Sequence, residues 1–190
     1  MALINAAAGG HLSVLEWLHT HTNHRLQGTT SFAFALESAA AAGHLAVLKW
    51  LRANDCSFHC TQSAMNYAAE GGHLSVVEWL HANCLVEERL TFTREALDYA
   101  AGCGHVTVMR WLNSNTICSN DTTVVGTRST DAMVLASANG HLAAVEWLHC
   151  NGLEGSSMDW RAMDLAALGG YLPVVEWLHA NHQEGCSWNG

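Results

Sequence analysis

Apolar residues recur along this chain in short blocks with helical spacing, and glycine breaks the blocks at regular intervals. In one block Leu74, Val76, Val77, Trp79 and Leu80 fall at three- and four-residue offsets, which gives a helix a broad apolar stripe with Glu78 lying off it. The block before it is rich in alanine. Ala68 and Ala69 carry side chains small enough for neighbouring backbones to approach closely. Gly72 separates the two blocks, where a left-handed backbone that a side chain would penalise ends the first helix. Each block has room for about two helical turns, so the pair predicts a helical hairpin.

The same unit occurs six times, starting at Ala2, Ala35, Ala64, Ala96, Ala132 and Ala162. Its anchor pairs are Gly10-His11, Gly43-His44, Gly72-His73, Gly104-His105, Gly140-His141 and Gly170-Tyr171, spaced 33, 29, 32, 36 and 30 residues apart. A tryptophan followed by leucine keeps the same beat at Trp17, Trp50, Trp79, Trp111, Trp147 and Trp177. Thr61 stands three residues before its starting alanine, where it can cap the first helix, as can Thr93, Ser129 and Asp159; Phe32 breaks the rule in the second copy. One hairpin cannot bury its own apolar face, so the copies must stack. The expected fold is all-α, a solenoid of six stacked helix-turn-helix repeats forming one domain over residues 1–190, with the six tryptophans in its core.

Charge narrows the partners. Eight Lys and Arg against 17 Asp and Glu give a formal charge of −9, so the average surface repels nucleic-acid phosphates and anionic lipid headgroups. Neither nucleic acid nor a membrane is expected as a partner. The seven cysteines, Cys56, Cys60, Cys84, Cys103, Cys118, Cys150 and Cys186, are odd in number and lack the spacing of a secreted disulfide framework. No basic leader opens the chain, and no stretch approaches the roughly eighteen apolar residues of a membrane span. These features place the expected compartment inside the cell, in the cytoplasm.

Thirteen histidines invite a metal reading. The Gly-His series fails it on distance, because equivalent residues of stacked helices lie about 8 to 10 Å apart while ligands of one zinc each lie near 2 Å from it. His19, His21 and His24 could converge from one loop but lack a fourth ligand, and Cys56, His59 and Cys60 lack a second pair. Cys150 and His149 are only sequence neighbours, and adjacent helical residues point apart. No phosphate loop or carboxylate pair stands out. The reading is therefore of a protein that uses no cofactor or metal and is not an enzyme.

At Ala68-Ala69, Gly72-His73-Leu74, Val76-Val77 and their counterparts the sequence resembles the ankyrin repeat family, over nearly the whole chain. Its Trp79-Leu80-His81-Ala82-Asn83 run is similar to one variety found in long arrays. The resemblance implies an ankyrin-type α-solenoid. It departs where Ser63-Ala64-Met65-Asn66 stands in place of the family's Thr-Pro-Leu-His opening, so the hydrogen bonds of that opening must be replaced or absent. Met1 leads at once into a first helix and Glu184-Gly185-Cys186-Ser187-Trp188 resembles the lead-in to a further repeat, so a fragment of a longer array, associating end to end, is expected.

The resemblance further implies binding of another protein in a concave groove, through the hairpin tips and the exposed side of the first helices. Here the variable residues before each starting alanine are Gln62, Phe92, Arg94, Arg128, Thr130, Met158 and Trp160, of which Trp160 and the arginines are the most suited to anchor a partner. Small residues after the alanine pair, at Ala41-Ala42 and Glu70-Gly71, predict a shallow groove floor. A structural spacer within a larger repeat protein is the other reading.

Overall fold

The computed structural model describes residues 1–21, 30–54, 61–84, 94–116, 131–153 and 160–181, and among these it contains twelve α-helices and no strand. They form six pairs: α1 (Ala2–Ala8) with α2 (Leu12–His21), α3 (Thr30–Ala41) with α4 (Leu45–Asn54), α5 (Gln62–Glu70) with α6 (Leu74–Cys84), α7 (Arg94–Gly102) with α8 (Val106–Thr116), α9 (Asp131–Ala138) with α10 (Leu142–Cys150), and α11 (Trp160–Leu168) with α12 (Leu172–Asn181). The chain divides into two compact units, Met1–Ala96 and Leu97–Gly190. In the first, α1, α3 and α5 pack in one row and α2, α4 and α6 in another. In the second, α9 packs on α11, and α10 on both α8 and α12.

The local rules are those of the sequence. Thr61 Oγ1 accepts from the Ala64 amide at 3.2 Å and caps α5. The other proposed caps, Thr93, Ser129 and Asp159, lie outside the described residues. In the second copy α3 begins at Thr30, ahead of Phe32, which becomes a buried helix residue. Gly72 takes φ +71, and the amide after it returns to Ala68 O at 2.9 Å, turning the chain directly into α6. The alanine pairs Ala39-Ala40 and Ala68-Ala69 are fully buried, which is what lets α3 and α5 approach backbone to backbone.

The tryptophans depart from expectation. Trp50, Trp79, Trp111, Trp147 and Trp177 are only half-buried, and Trp17 is 58 % exposed. The buried residues of α6 are Val76, Val77 and Leu80, and at about 100° per residue Trp79 points some 100° from the centre of the stripe they define. In five of the six second helices the leucine after the tryptophan therefore belongs to the core: Leu51, Leu80, Leu112, Leu148 and Leu178 are almost fully buried, whereas Leu18 in the first pair is half-buried. Burying each contributes about 1.5 to 3 kcal/mol. The indole lies on the flank, where within a unit it meets the preceding pair. The ring of His19 stands edge-on to Trp50 at 5.5 Å, Arg52 lies 6.0 Å from the Trp79 ring centre, and His149 stands edge-on to Trp177 at 5.1 Å.

Four residues beyond each tryptophan a side chain closes the helix. The amides of Asn54, Asn83, Asn115, Asn151 and Asn181 donate to the carbonyls of Trp50, Trp79, Trp111, Trp147 and Trp177 at 2.7 to 2.8 Å, and in the first pair His21 Nδ1 donates to Trp17 O at 2.8 Å. Four residues is about one helical turn, so an asparagine at that spacing can fold its side chain back onto the tryptophan carbonyl.

Candidate partner-binding face

The network that replaces the missing opening lies in the first unit. Thr61 donates its hydroxyl to Glu37 Oε1 at 2.8 Å, Gln62 donates to Asn66 Oδ1 at 3.1 Å, and the buried Asn66 donates to Glu95 Oε2 at 2.8 Å. Gln62, a candidate contact residue, therefore bonds within its own helix, to the asparagine that reaches the next pair.

Histidine supplies a second cross-link. His44 Nε2 donates to Ala8 O at 3.0 Å and His73 Nε2 to Ala41 O at 3.1 Å, each reaching into the preceding pair. Since a carbonyl only accepts, both rings carry their proton on Nε2. The His73 ring is seated between two glycines: a Cβ on Gly71 would lie 2.6 Å from its Cδ2 and one on Gly43 2.6 Å from its Nδ1. The small residues after the alanine pair thus make room for this ring. In the second unit Asn139 donates to Gly102 O at 2.7 Å, the carbonyl that the register would give to His141, and the Tyr171 ring covers Gly140.

No group of three metal-ligating side chains occurs among the described residues. His21 is stacked on Trp17 with ring centres 4.2 Å apart, while His24, Cys56, His59 and Cys60 fall outside the described residues. Cys150 is exposed and unbridged, and the ring of its neighbour His149 lies against Trp177. Burial lowers the pKa of His81 in the last turn of α6.

Of the candidate contacts, Trp160 opens α11 and is 69 % exposed. Arg94 opens α7. The Arg94 side chain and the whole of Phe92, Arg128, Thr130 and Met158 lie outside the described residues. Sequence reasoning missed a second exposed set, three residues beyond the starting alanine: Tyr67 in the first unit, and Tyr99 and Leu135 in the second. Leu135 packs over Gly102, where a Cβ would meet its own Cβ at 3.3 Å, and Tyr99 lies one turn before that glycine. The signal was present, because Tyr67 points about 130° from the centre of the stripe formed by Ala64, Met65, Ala68 and Ala69. An aromatic residue there cannot serve the core of its own hairpin.

Two family descriptions match, ankyrin repeats (3 copies) over residues 36–123 and ankyrin repeats (many copies) over residues 133–179, together more than half of the chain. The chain belongs to the ankyrin repeat family. Among solved structures it is similar to that of the human ASB11 ankyrin repeat domain, with a TM-score of 0.65 at 20 % identity, over 100 % of this chain and 86 % of that one. At that identity the likeness speaks to the fold, which is the ankyrin α-solenoid. No curated protein matches the chain. Ankyrin repeats generally serve as protein-interaction modules, and no described helix is long and apolar enough to cross a membrane.

Proposed function

We propose that this chain is a recognition module that binds another protein along the exposed side of its first helices, without catalysis. The observation that carries this reading is the exposed apolar set Tyr99, Leu135 and Trp160 in the second unit, with Tyr67 exposed at the matching place in the first, each held on a helix whose opposite face is fixed by buried alanines. Aromatic side chains offer large contact area at little entropic cost, which suits them to anchor a partner. The lead-in residues Gln62, Phe92, Arg94, Arg128, Thr130 and Met158 are further candidates for contacts that confer selectivity. The acidic balance favours a partner surface that is apolar with basic flanks.

The test compares the parent chain with Tyr99→Ser, Leu135→Ser and an Arg94→Ala, Arg128→Ala, Trp160→Ala triple variant. A partner captured by cross-linking should be lost from each, with thermal melting unchanged. Retention of the partner by all three would leave the array as a spacer and end this reading.

A further inference from the structure

The place three residues beyond each starting alanine is filled differently in the two units. In the second it holds Tyr99 on α7, Leu135 on α9 and Leu165 on α11; Tyr99 is 42 % and Leu135 37 % exposed, and Leu165 is half-buried. In the first it holds Asn5, Ser38 and Tyr67. The second unit therefore carries an apolar row across three successive helices, where the first carries one aromatic ring. Leu135 closes the row toward α7, because its Cβ stands 3.3 Å from where a Cβ on Gly102 would lie, one turn after Tyr99. That side chain fills the space between α7 and α9, so the row there is a flat apolar surface rather than a trough for the cylinder of an α-helix, roughly 10 Å across.

Spacing and charge define what fits this row. Equivalent side chains of stacked helices lie about 8 to 10 Å apart. A polyproline II segment advances about 9.3 Å in three residues and completes one turn, so every third side chain faces the same way. A β-strand covers about 10 Å in three residues but turns the third side chain to its opposite face. Asp131 is exposed in the first turn of α9, one turn before Leu135, and Asp164 is exposed beside Leu165. Among the described side chains of α7, α9 and α11 in the second unit, the carboxylates of Asp98, Asp131 and Asp164 stand against the single guanidinium of Arg161, so the row has an acidic border.

Resting on the partner face proposed above, we infer that this row takes a proline-rich segment in the polyproline II conformation, with an apolar side chain at every third position and basic residues between them. The three apolar side chains would lie on Tyr99, Leu135 and Leu165, and a basic residue next to the central one would reach Asp131. A segment already held extended by proline loses little conformational freedom on docking, which suits it to a shallow surface with few anchors.

The probe is a fluorescein-labelled peptide of three Leu-Pro-Lys repeats, whose anisotropy is followed as the 190-residue chain is added. It should bind saturably, and a peptide of the same composition with its leucines consecutive should bind about tenfold more weakly. Tyr99→Ser and Leu135→Ser should each weaken binding of the first peptide about tenfold, whereas Phe34→Ser, at an exposed site of the first unit, should leave it unchanged. Asp131→Lys should weaken it about threefold and strengthen binding of Leu-Pro-Glu repeats by a similar factor, an exchange at an exposed residue that does not depend on how the serine variants fold. Equal binding of the two lysine peptides overturns the inference, as does binding that Tyr99→Ser, Leu135→Ser and the Asp131 exchange all leave unchanged. Failure of the parent to bind Leu-Pro-Lys repeats also overturns it. Should the parent then still capture a partner that Tyr99→Ser loses, or bind a helical peptide with leucine at every seventh position, recognition by this face stands and only the polyproline segment is refuted.

Discussion

The two units build the same hairpin from different joints. In the first, imidazoles from the turns of the second and third pairs reach carbonyls of the preceding pair, and side-chain bonds from Thr61 to Glu37 and from Asn66 to Glu95 tie successive pairs together. In the second, an asparagine takes the carbonyl at Gly102 and a phenol ring takes the seat at Gly140. What persists across both is a flat ring over a positive-φ glycine; the hydrogen bond is moved or exchanged. The difference teaches that the joint is set by shape, with polarity adding to it.

The largest effect that could break this comparison comes from the glycines. Alanine at Gly43 or Gly140 must both adopt a left-handed backbone and displace a seated ring, so each should cost about 2 to 4 kcal/mol in denaturant unfolding. Gly170→Ala meets only the backbone penalty, about 1 to 2 kcal/mol. Equal costs at all three positions would mean that the rings contribute nothing. A smaller effect separates polarity from shape. His73→Phe keeps a ring but removes the bond to Ala41 O, and should cost about 1 kcal/mol, whereas Tyr171→Phe should be close to neutral. If the two melt alike, the imidazole bond adds nothing in the first unit.

The smallest effect is a gain. Ser137 replaces the second alanine of the pair, is fully buried, and its hydroxyl has no hydrogen-bond partner among the described residues. Ser137→Ala should raise stability by about 0.5 to 1 kcal/mol, restoring what Ala40 and Ala69 already have in the first unit. A drop in melting temperature would show that the hydroxyl is satisfied in solution.

The candidate site was less legible than the fold. Trp160 was found because it is a large residue in a variable lead-in, and it is exposed. Tyr67 and Tyr99 were passed over because the repeat pattern treats their position as variable, although helical geometry points them away from the stripe. Gln62 reads as variable in sequence yet bonds to Asn66, the residue that reaches Glu95 of the following pair.

By itself the sequence determined the six hairpins, their glycine turns and the Thr61 cap, because periodicity, a threonine before a helix and a glycine after it act within one unit of chain. Only the tertiary structure decided which flank of each helix meets a neighbour. That placed the leucines rather than the tryptophans in the core, turned asparagine amides onto tryptophan carbonyls, and seated each ring on a glycine some thirty residues away. Burial is a property of two surfaces brought together, and a pattern read along one strand of sequence contains only one of them.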